Sequence, residues 1–168
     1  MKLSIWALLA ALGLVGVDQL SKYLIAQSFV LEQTKVLIPG FLQLKYVHNP
    51  GAVFGILPGY RVVFIVLVSL VLLVCIYLLV RNKVQSKLAI WAIALIIAGG
   101  AGNLIDRIIY GYVIDFILFD FSWFPFVFNV ADIFVVVGGG MLLLYLLLDI
   151  RNDSQKKEDS VGTDQSGG

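Results

Sequence analysis

Four long stretches of almost uninterrupted apolar residues alternate with more polar segments along the chain. A helix that crosses the hydrocarbon core of a membrane needs about 20 mostly apolar residues. The pattern therefore predicts four transmembrane helices, at about residues 3–25, 62–80, 88–104 and 130–148. We expect them to form a single domain over residues 1–150, followed by a polar, disordered cytoplasmic tail at residues 151–168.

The composition supports a membrane protein and excludes several other classes. Of the 168 residues, 60% are hydrophobic and only 14% are charged, whereas soluble domains carry about 25% charged residues. A net charge of +1 provides no concentrated basic face, so we expect no nucleic-acid partner. The single histidine, His48, and the single cysteine, Cys75, supply neither a disulfide framework nor a set of zinc ligands. We therefore expect no metal and no cofactor.

The distribution of Lys and Arg predicts which ends of the helices face the cytoplasm. Seven basic residues lie in the two terminal segments and the short connection, where Arg81, Lys83 and Lys87 fall within seven positions. The two long connections and the ends of their spans hold five, which are spread out. We expect both termini inside the cell and both long connections outside it.

The two outer connections have patterns of their own. Residues 41–48 alternate between apolar and polar side chains after a Pro39-Gly40 turn, and this predicts a small sheet that lies on the membrane. The second connection has nine aromatic residues between positions 110 and 128, which predicts a segment half-sunk in the headgroup layer. The expected fold is an all-α membrane protein with four transmembrane helices, a small extracytoplasmic β-sheet and an aromatic-rich outer loop.

Polar residues within the spans are few, and each calls for an explanation, because such groups are expensive in a membrane. Asp18 and Lys22 have the i, i+4 spacing of a helical ion pair. They form a structural pair or, alternatively, hold a substrate or a lipid headgroup. Asn103 lies at the outer end of the third span, where its amide must find hydrogen-bond partners. The glycines at positions 99, 100 and 102 and at 138–140 predict close packing between helices.

Two carboxylates have no obvious partner in the sequence. Asp115 has apolar neighbours on both sides, and Asp132 opens the last span. A fold-back between the third and fourth spans would bring them together, and two close carboxylates in a low-dielectric setting share one proton. Such a pair supplies a base and an acid for the attack of water on a peptide bond. Alternatively, they are isolated interfacial acids or partners of Arg107 and Lys22.

Asp106 is the alternative candidate for a catalytic acid in place of Asp115 or Asp132. The adjacent Arg107 favours a charge-compensating role for Asp106 instead.

With these residues in place, the chain resembles the bacterial lipoprotein signal peptidases (signal peptidase II), membrane aspartic peptidases that process prolipoproteins. The resemblance extends from the first span to about residue 150. Each motif alone is weak, but their order within four spans is specific. The motifs are Asp18-Gln19-Leu20-Ser21-Lys22, Asn49-Pro50-Gly51-Ala52-Val53-Phe54, Gly102-Asn103-Leu104-Ile105-Asp106-Arg107, Val113-Ile114-Asp115-Phe116 and Phe128-Asn129-Val130-Ala131-Asp132.

The resemblance implies a catalytic dyad of Asp115 and Asp132. It implies a further set of residues around the substrate or in support of the site, namely Asn49, Gly51, Asn103, Arg107, Asn129, Asp18 and Lys22. It also implies the substrate, a bacterial prolipoprotein whose cysteine already carries diacylglycerol, with cleavage just before that cysteine. We expect a monomer in the inner membrane, in contact with membrane lipid, with its active site at the outer face.

Two other classes of function compete with this interpretation. A small proton-coupled transporter would explain four spans and a few acids, but transporter sites lie near the bilayer midplane, often within internal repeats. Here the acids cluster at one surface and the second span has no interruption. A non-catalytic scaffold subunit would explain the aromatic loop but not the two acids without partners.

Overall fold

A computed structural model describes residues 2–51, 61–121 and 126–164, with side chains described through Asn152. The motif residues 52–54 and the aromatic Trp123 lie outside the described residues. The described part contains four long helices and one four-stranded sheet. The helices are α1 (Lys2–Ser28), α2 (Arg61–Val80), α3 (Lys87–Ile109) and α4 (Val130–Asp164). All four are long and apolar enough to cross a membrane, as the hydrophobic pattern predicts.

Helix α3 lies at the centre of the bundle and packs against each of the other three helices. Its buried residues are mostly small or β-branched, and Ala92 and Ala98 are fully buried. By contrast, α2 buries only Leu72 and Leu79 among its 20 residues. Val68 and Cys75 pack partly against the core, but most other apolar side chains of α2 are exposed, as expected for a helix that faces lipid.

Glycines allow α3 and α4 to approach closely, as predicted from the sequence. A Cβ added at Gly99 would meet the carbonyl oxygen of Ala131, and one added at Gly138 would lie 2.7 Å from the carbonyl oxygen of Ala92. The prediction was wrong for Gly139 and Gly140, which have no such neighbour within 4 Å. Those two positions lie on other faces of α4, because successive helical residues point about 100° apart.

Two helices continue further than the sequence pattern predicts. Helix α3 runs to Ile109 rather than to about residue 104, because its polar residues Asn103 and Asp106 find partners inside the protein. Helix α4 continues to Asp164, beyond its membrane span Val130–Asn152 and through the segment expected to be a disordered tail. No proline or glycine occurs between residues 141 and 161, so nothing in that sequence interrupts a helix.

The sheet joins both outer connections. Its strands are β1 (Thr34–Ile38), β2 (Leu42–Asn49), β3 (Val113–Phe119) and β4 (Val127–Phe128), antiparallel and in that order. The small sheet predicted beside the Pro39-Gly40 turn is confirmed, and Gly40 with φ +69° lies in the turn between β1 and β2. Strand β3 was not predicted, because its nearly continuous apolar run does not show the alternation of a half-exposed strand. Its residues 113–116 are buried, since the sheet and the ends of the helices cover them.

Substitution of Gly138 tests whether close helix packing stabilises the bundle. Gly138→Ala should lower the free energy of unfolding by about 1–3 kcal/mol, because the new methyl group collides with the α3 backbone. Gly139→Ala is the matched control and should keep or slightly raise stability, because alanine has the higher helix propensity. Thermal unfolding in detergent measures both. Equal midpoints for the two variants would contradict the packing argument.

Candidate active site

Asp115 and Asp132 lie where the sheet meets the ends of the helices. Asp115 is in β3 and is 3% exposed, whereas Asp132 is half-buried in the first turn of α4. The opposite end of the bundle is marked by Ser4 in α1, whose hydroxyl donates to Asn82 Oδ1 at 3.2 Å. The fold-back expected from the sequence thus brings the two acids to one end of the bundle, within electrostatic range of each other.

Two asparagine amides hold the carboxylate of Asp115. Strand pairing places Asp115 opposite Val47 in β2, two residues before Asn49. Asn49 Nδ2 donates to Asp115 Oδ2 at 2.8 Å, and Asn129 Nδ2 donates to Oδ1 at 2.7 Å. Both oxygens of this carboxylate are therefore hydrogen-bonded, which is what burial requires.

Asp132 is held by the N-terminus of its own helix. Asn129 precedes α4, and its Oδ1 accepts the backbone N–H of Asp132 at 2.9 Å. In return, Asp132 Oδ2 accepts the backbone N–H of Asn129 at 3.1 Å. This reciprocal pair has the form of a capping box. It also places the carboxylate at the positive end of the helix dipole, which favours its ionised form.

Asn103 and Asn129 link the two acids through their amides. Asn103 Nδ2 donates to Asp132 Oδ1 at 2.8 Å. Asn103 Oδ1 accepts from Asn129 Nδ2 at 3.0 Å, and the same Nδ2 donates to Asp115. A continuous chain of hydrogen bonds therefore runs from Asp115 through both amides to Asp132.

Asp18 and Lys22 form the predicted helical ion pair, but they also contact other helices. Lys22 Nζ lies 2.9 Å from Asp18 Oδ2 and 2.9 Å from Asp106 Oδ2, and it donates to Asn103 Oδ1 at 3.0 Å. Asp106 has the charge-compensating role expected of it, but its ion-pair partner among the described residues is Lys22 rather than the adjacent Arg107. Adjacent residues on a helix point in different directions, so Asp106 faces Lys22 across the helix interface instead.

Arg107 binds backbone carbonyls rather than the acids. Its Nη1 donates to Asn103 O at 3.1 Å and its Nη2 to Gly51 O at 3.0 Å. Gly51 in turn donates its N–H to Asn49 Oδ1 at 3.0 Å, so Arg107 supports the loop beside Asn49. The guanidinium also lies over the ring of Phe64, 5.7 Å from its centroid. None of the ion pairs within residues 2–51, 61–121 and 126–164 joins Arg107 to an acid.

Burial raises the pKa of Asp115 to about 7. Desolvation is the largest cause, because it disfavours the charged form, and the negative charge of Asp132 acts in the same direction. The donated hydrogen bonds of Asn49 and Asn129 and the positive charge of Lys22 oppose the shift. A carboxyl with this pKa exchanges its proton near neutral pH, where an ordinary aspartate is fully ionised.

A cleft of about 280 Å³ opens beside the two acids. Helices α2, α3 and α4 and strands β2, β3 and β4 contribute to its lining. Its polar residues converge at one place, whereas most of its wall is apolar, as expected of a site for a largely apolar ligand. The lining residues are Asn49, Phe64, Val68, Gly100, Asn103, Arg107, Val113, Asp115, Val127, Phe128, Asp132, Val135 and Val136.

Within the described ranges, no group of three His, Cys, Asp or Glu side chains is arranged to hold a metal ion. His48 makes other contacts: its Nε2 lies 2.8 Å from the Tyr46 hydroxyl, and its ring stacks on Tyr112 with centroids 3.8 Å apart.

Sequence reasoning missed one polar residue of this region. Gln19 Nε2 donates to Asp106 Oδ1 at 2.9 Å and lies 3.2 Å from the carbonyl oxygen of Gly102. The signal was present in the sequence, because Gln19 is an amide within a predicted span and next to Asp18. Such a side chain must find partners in a membrane protein.

Comparison with known proteins agrees with this architecture. A sequence model of the family described as signal peptidase (SPase) II matches residues 10–148. A lipoprotein signal peptidase of Enterococcus faecalis is 43% identical over 161 residues, which cover 96% of this chain and 97% of that protein. One of Symbiobacterium thermophilum is 42% identical over 144 residues, which cover 84% of this chain and 94% of that protein.

A solved structure described as a bacterial membrane enzyme has the same fold, with a TM-score of 0.81 and 32% sequence identity. The match covers 90% of this chain and 92% of that one. The family model and the relatives span most of the chain, and four helices are long and apolar enough to cross a membrane. This chain is therefore a multi-pass membrane peptidase that belongs to the signal peptidase II family.

Proposed function

We propose that this protein is an aspartic endopeptidase that removes the signal peptide from diacylglyceryl-modified prolipoproteins, with Asp115 and Asp132 as its catalytic dyad. The cut falls just before the lipidated cysteine. The observation that carries this proposal is the pair of carboxylates, tied together by the amides of Asn103 and Asn129 beside an apolar cleft. The name shared by the relatives, lipoprotein signal peptidase, supports the choice of substrate.

In the proposed mechanism, a water molecule between the two carboxylates attacks the scissile carbonyl. The more buried Asp115 carries the shared proton, and Asp132, at the N-terminus of α4, is ionised in the resting state. Asp132 then takes a proton from the water, while Asp115 donates its proton to the carbonyl oxygen. Collapse of the tetrahedral intermediate breaks the peptide bond, and a proton from the pair goes to the leaving amine.

The cleft offers a place for the signal peptide. Its apolar walls include Val68 of α2 and Val135 and Val136 of α4. An apolar signal-peptide segment in contact with these walls would present its end to the acids. The supporting residues then have separate tasks: Asn49, Asn103 and Asn129 orient the carboxylates, and Arg107 holds the carbonyl oxygen of Gly51.

The proposal includes a location and an orientation. The site lies at the outer face of the bacterial inner membrane, both termini are cytoplasmic, and the protein acts as a monomer in contact with lipid. The basic cluster in the connection between α2 and α3 supports this orientation. The alternative of a proton-coupled transporter has no support from the family match, which is to a peptidase family.

Substitution of either acid tests the dyad. Asp115→Asn and Asp132→Asn should each reduce cleavage of a purified diacylglyceryl-modified prolipoprotein by about 10³-fold or more, because an amide can neither accept nor share the proton. The two losses should be similar, since residues that act as a unit are not additive. Asp120→Asn is the matched control, because Asp120 is exposed in the same outer connection and should leave turnover unchanged. Near-normal turnover in either dyad variant, with the protein folded, would refute the assignment.

The dependence of cleavage on pH and on metal tests the shared proton. Because the pKa of Asp115 is raised to about 7, turnover of the purified enzyme should fall as the pH rises through that value and the proton is lost. Turnover should also fall at low pH, where the ionised partner becomes protonated. EDTA should have no effect on either limb. Inactivation by EDTA that zinc reverses would exclude the aspartic mechanism, and a flat pH profile would exclude the shared proton.

Labelling of single cysteines tests the orientation. In a Cys75→Ala background, Thr34→Cys should react with a membrane-impermeant thiol reagent in intact cells, because β1 is exposed at the proposed outer face. Lys83→Cys, in the exposed connection between α2 and α3, should react only after the cells are broken. The reverse pattern would place the acids on the cytoplasmic side.

A further inference from the structure

Each acid of the dyad directly follows a residue whose backbone amide is bound by a buried carboxylate. Ile114, which precedes the acid in β3, donates its N–H to Asp106 Oδ2 at 3.1 Å. Ala131, which precedes the acid in α4, donates its N–H to Asp18 Oδ1 at 2.9 Å. The backbone that carries each acid is therefore fixed by a carboxylate outside the dyad.

The two carboxylates that bind these amides share a single cation. Lys22 Nζ lies 2.9 Å from Asp18 and 2.9 Å from Asp106. It also donates to Asn103 Oδ1 at 3.0 Å, so all three of its N–H groups are used. Lys22 is 2% exposed, and both carboxylates are fully buried. One ammonium group thus connects the segment before Asp115, the segment before Asp132 and an amide bound to Asp132.

Helix packing alone does not explain this arrangement. The same face of α1 buries Ala7 and Ala11 further towards its N-terminus, where it packs through small apolar residues. Buried ion pairs are often no more stabilising than apolar residues of similar volume. A charged cluster in the part of α1 nearest the dyad therefore points to a role in the geometry of the site.

We propose that Lys22 is a positioning residue that sets the two acids of the dyad relative to each other, because it anchors through Asp18 and Asp106 the segments that carry them. This inference rests on the proposed aspartic mechanism and adds to it a fixed frame for the dyad. Lys22 itself does not contact the substrate. Its loss should lower kcat more than it changes KM, since misplacement of a reacting group by about 1 Å can cost about 10²-fold.

The positive charge of Lys22 should affect the pH profile of the enzyme, so the pH profile distinguishes a positioning role from a role in helix packing alone. The charged groups around Asp115 are Asp132 from α4, Lys22 from α1 and Arg107 from α3, while β2 contributes the neutral Asn49. Burial raises the pKa of Asp115, and the positive charge of Lys22 opposes that effect. Removal of this charge should move the alkaline limb of the pH profile upward. Removal of the negative charge of Asp18, which interacts with Asp132 of the same carboxyl pair, should move it downward.

The experiment measures kcat, KM and the pH profile of the purified full-length enzyme in detergent with a diacylglyceryl-modified prolipoprotein. Lys22→Met should lower kcat about 10²-fold with little change in KM and move the alkaline limb upward by about one pH unit. Asp18→Asn keeps the shape of the side chain but loses either its contact with Lys22 or that with Ala131. It should also lower kcat, with the limb moved downward. Lys45→Met is the matched control, because it breaks the exposed ion pair with Glu32 and should change neither kcat nor the pH of the alkaline limb.

The outcomes separate this inference from the proposed function. The positioning role is supported if both variants lose kcat while the alkaline limb moves upward in Lys22→Met and downward in Asp18→Asn. The positioning role is overturned if Asp18→Asn keeps the wild-type kcat. It is also overturned if kcat falls only in proportion to the fraction of folded protein and the alkaline limb does not move. In both cases the proposed dyad still stands. If Lys22→Met does not fold, Asp18→Asn and Asp106→Asn decide by the same criteria. Activity retained by Asp115→Asn would instead refute the dyad itself.

Discussion

The need to satisfy buried charge in an apolar environment determines how the helices of this protein meet. Asp18, Lys22 and Asp106 come from two helices, and each completes the hydrogen bonding of another. Within the described residues, no buried side-chain nitrogen or oxygen lacks a partner. These ion pairs and hydrogen bonds require the backbones of α1 and α3 to approach closely. Gly102 lies at the contact because a Cβ there would collide with the Asp18 carboxylate, so a small residue in α3 is a consequence of a charge in α1.

The two acids of the proposed dyad depend on the same network but are stabilised differently. Asp115 is buried in a strand, where the neutral amides of Asn49 and Asn129 donate to it, and its pKa is raised to about 7. Asp132 accepts a backbone N–H at the start of α4 and an amide of Asn103. The strand therefore favours a protonated carboxyl, and the helix N-terminus favours an ionised one. In the proposed mechanism, two residues of identical chemistry thus take the complementary roles that general acid–base catalysis needs.

The sequence predicted the parts of this structure that depend on local pattern. Four spans, the small sheet of the first outer connection and the close packing at Gly99 follow from apolar length, alternation and residue size. It did not predict β3, because the residues around Asp115 are apolar on both faces and their pairing depends on a strand about 70 residues away. Nor did it predict that Asp106 faces Lys22, since helix–helix register is a property of three-dimensional packing. The residues alone offered Asp115 and Asp132 as one of several possibilities, and the resemblance selected them as the proposed dyad, while their hydrogen bonds came only from the structure.

The position of the acids at one end of the helix bundle also explains why the site combines a polar network with an apolar cleft. The asparagine amides bind the carboxylates from the protein side, so the dyad is oriented before any ligand enters. The opposite side is lined by Val68, Val135 and Val136. In the proposed mechanism, an apolar signal peptide in contact with these side chains would displace solvent from the acids. Electrostatic interactions strengthen as the local dielectric falls, so the substrate itself would complete the environment in which one proton shared by two carboxylates can cleave a peptide bond.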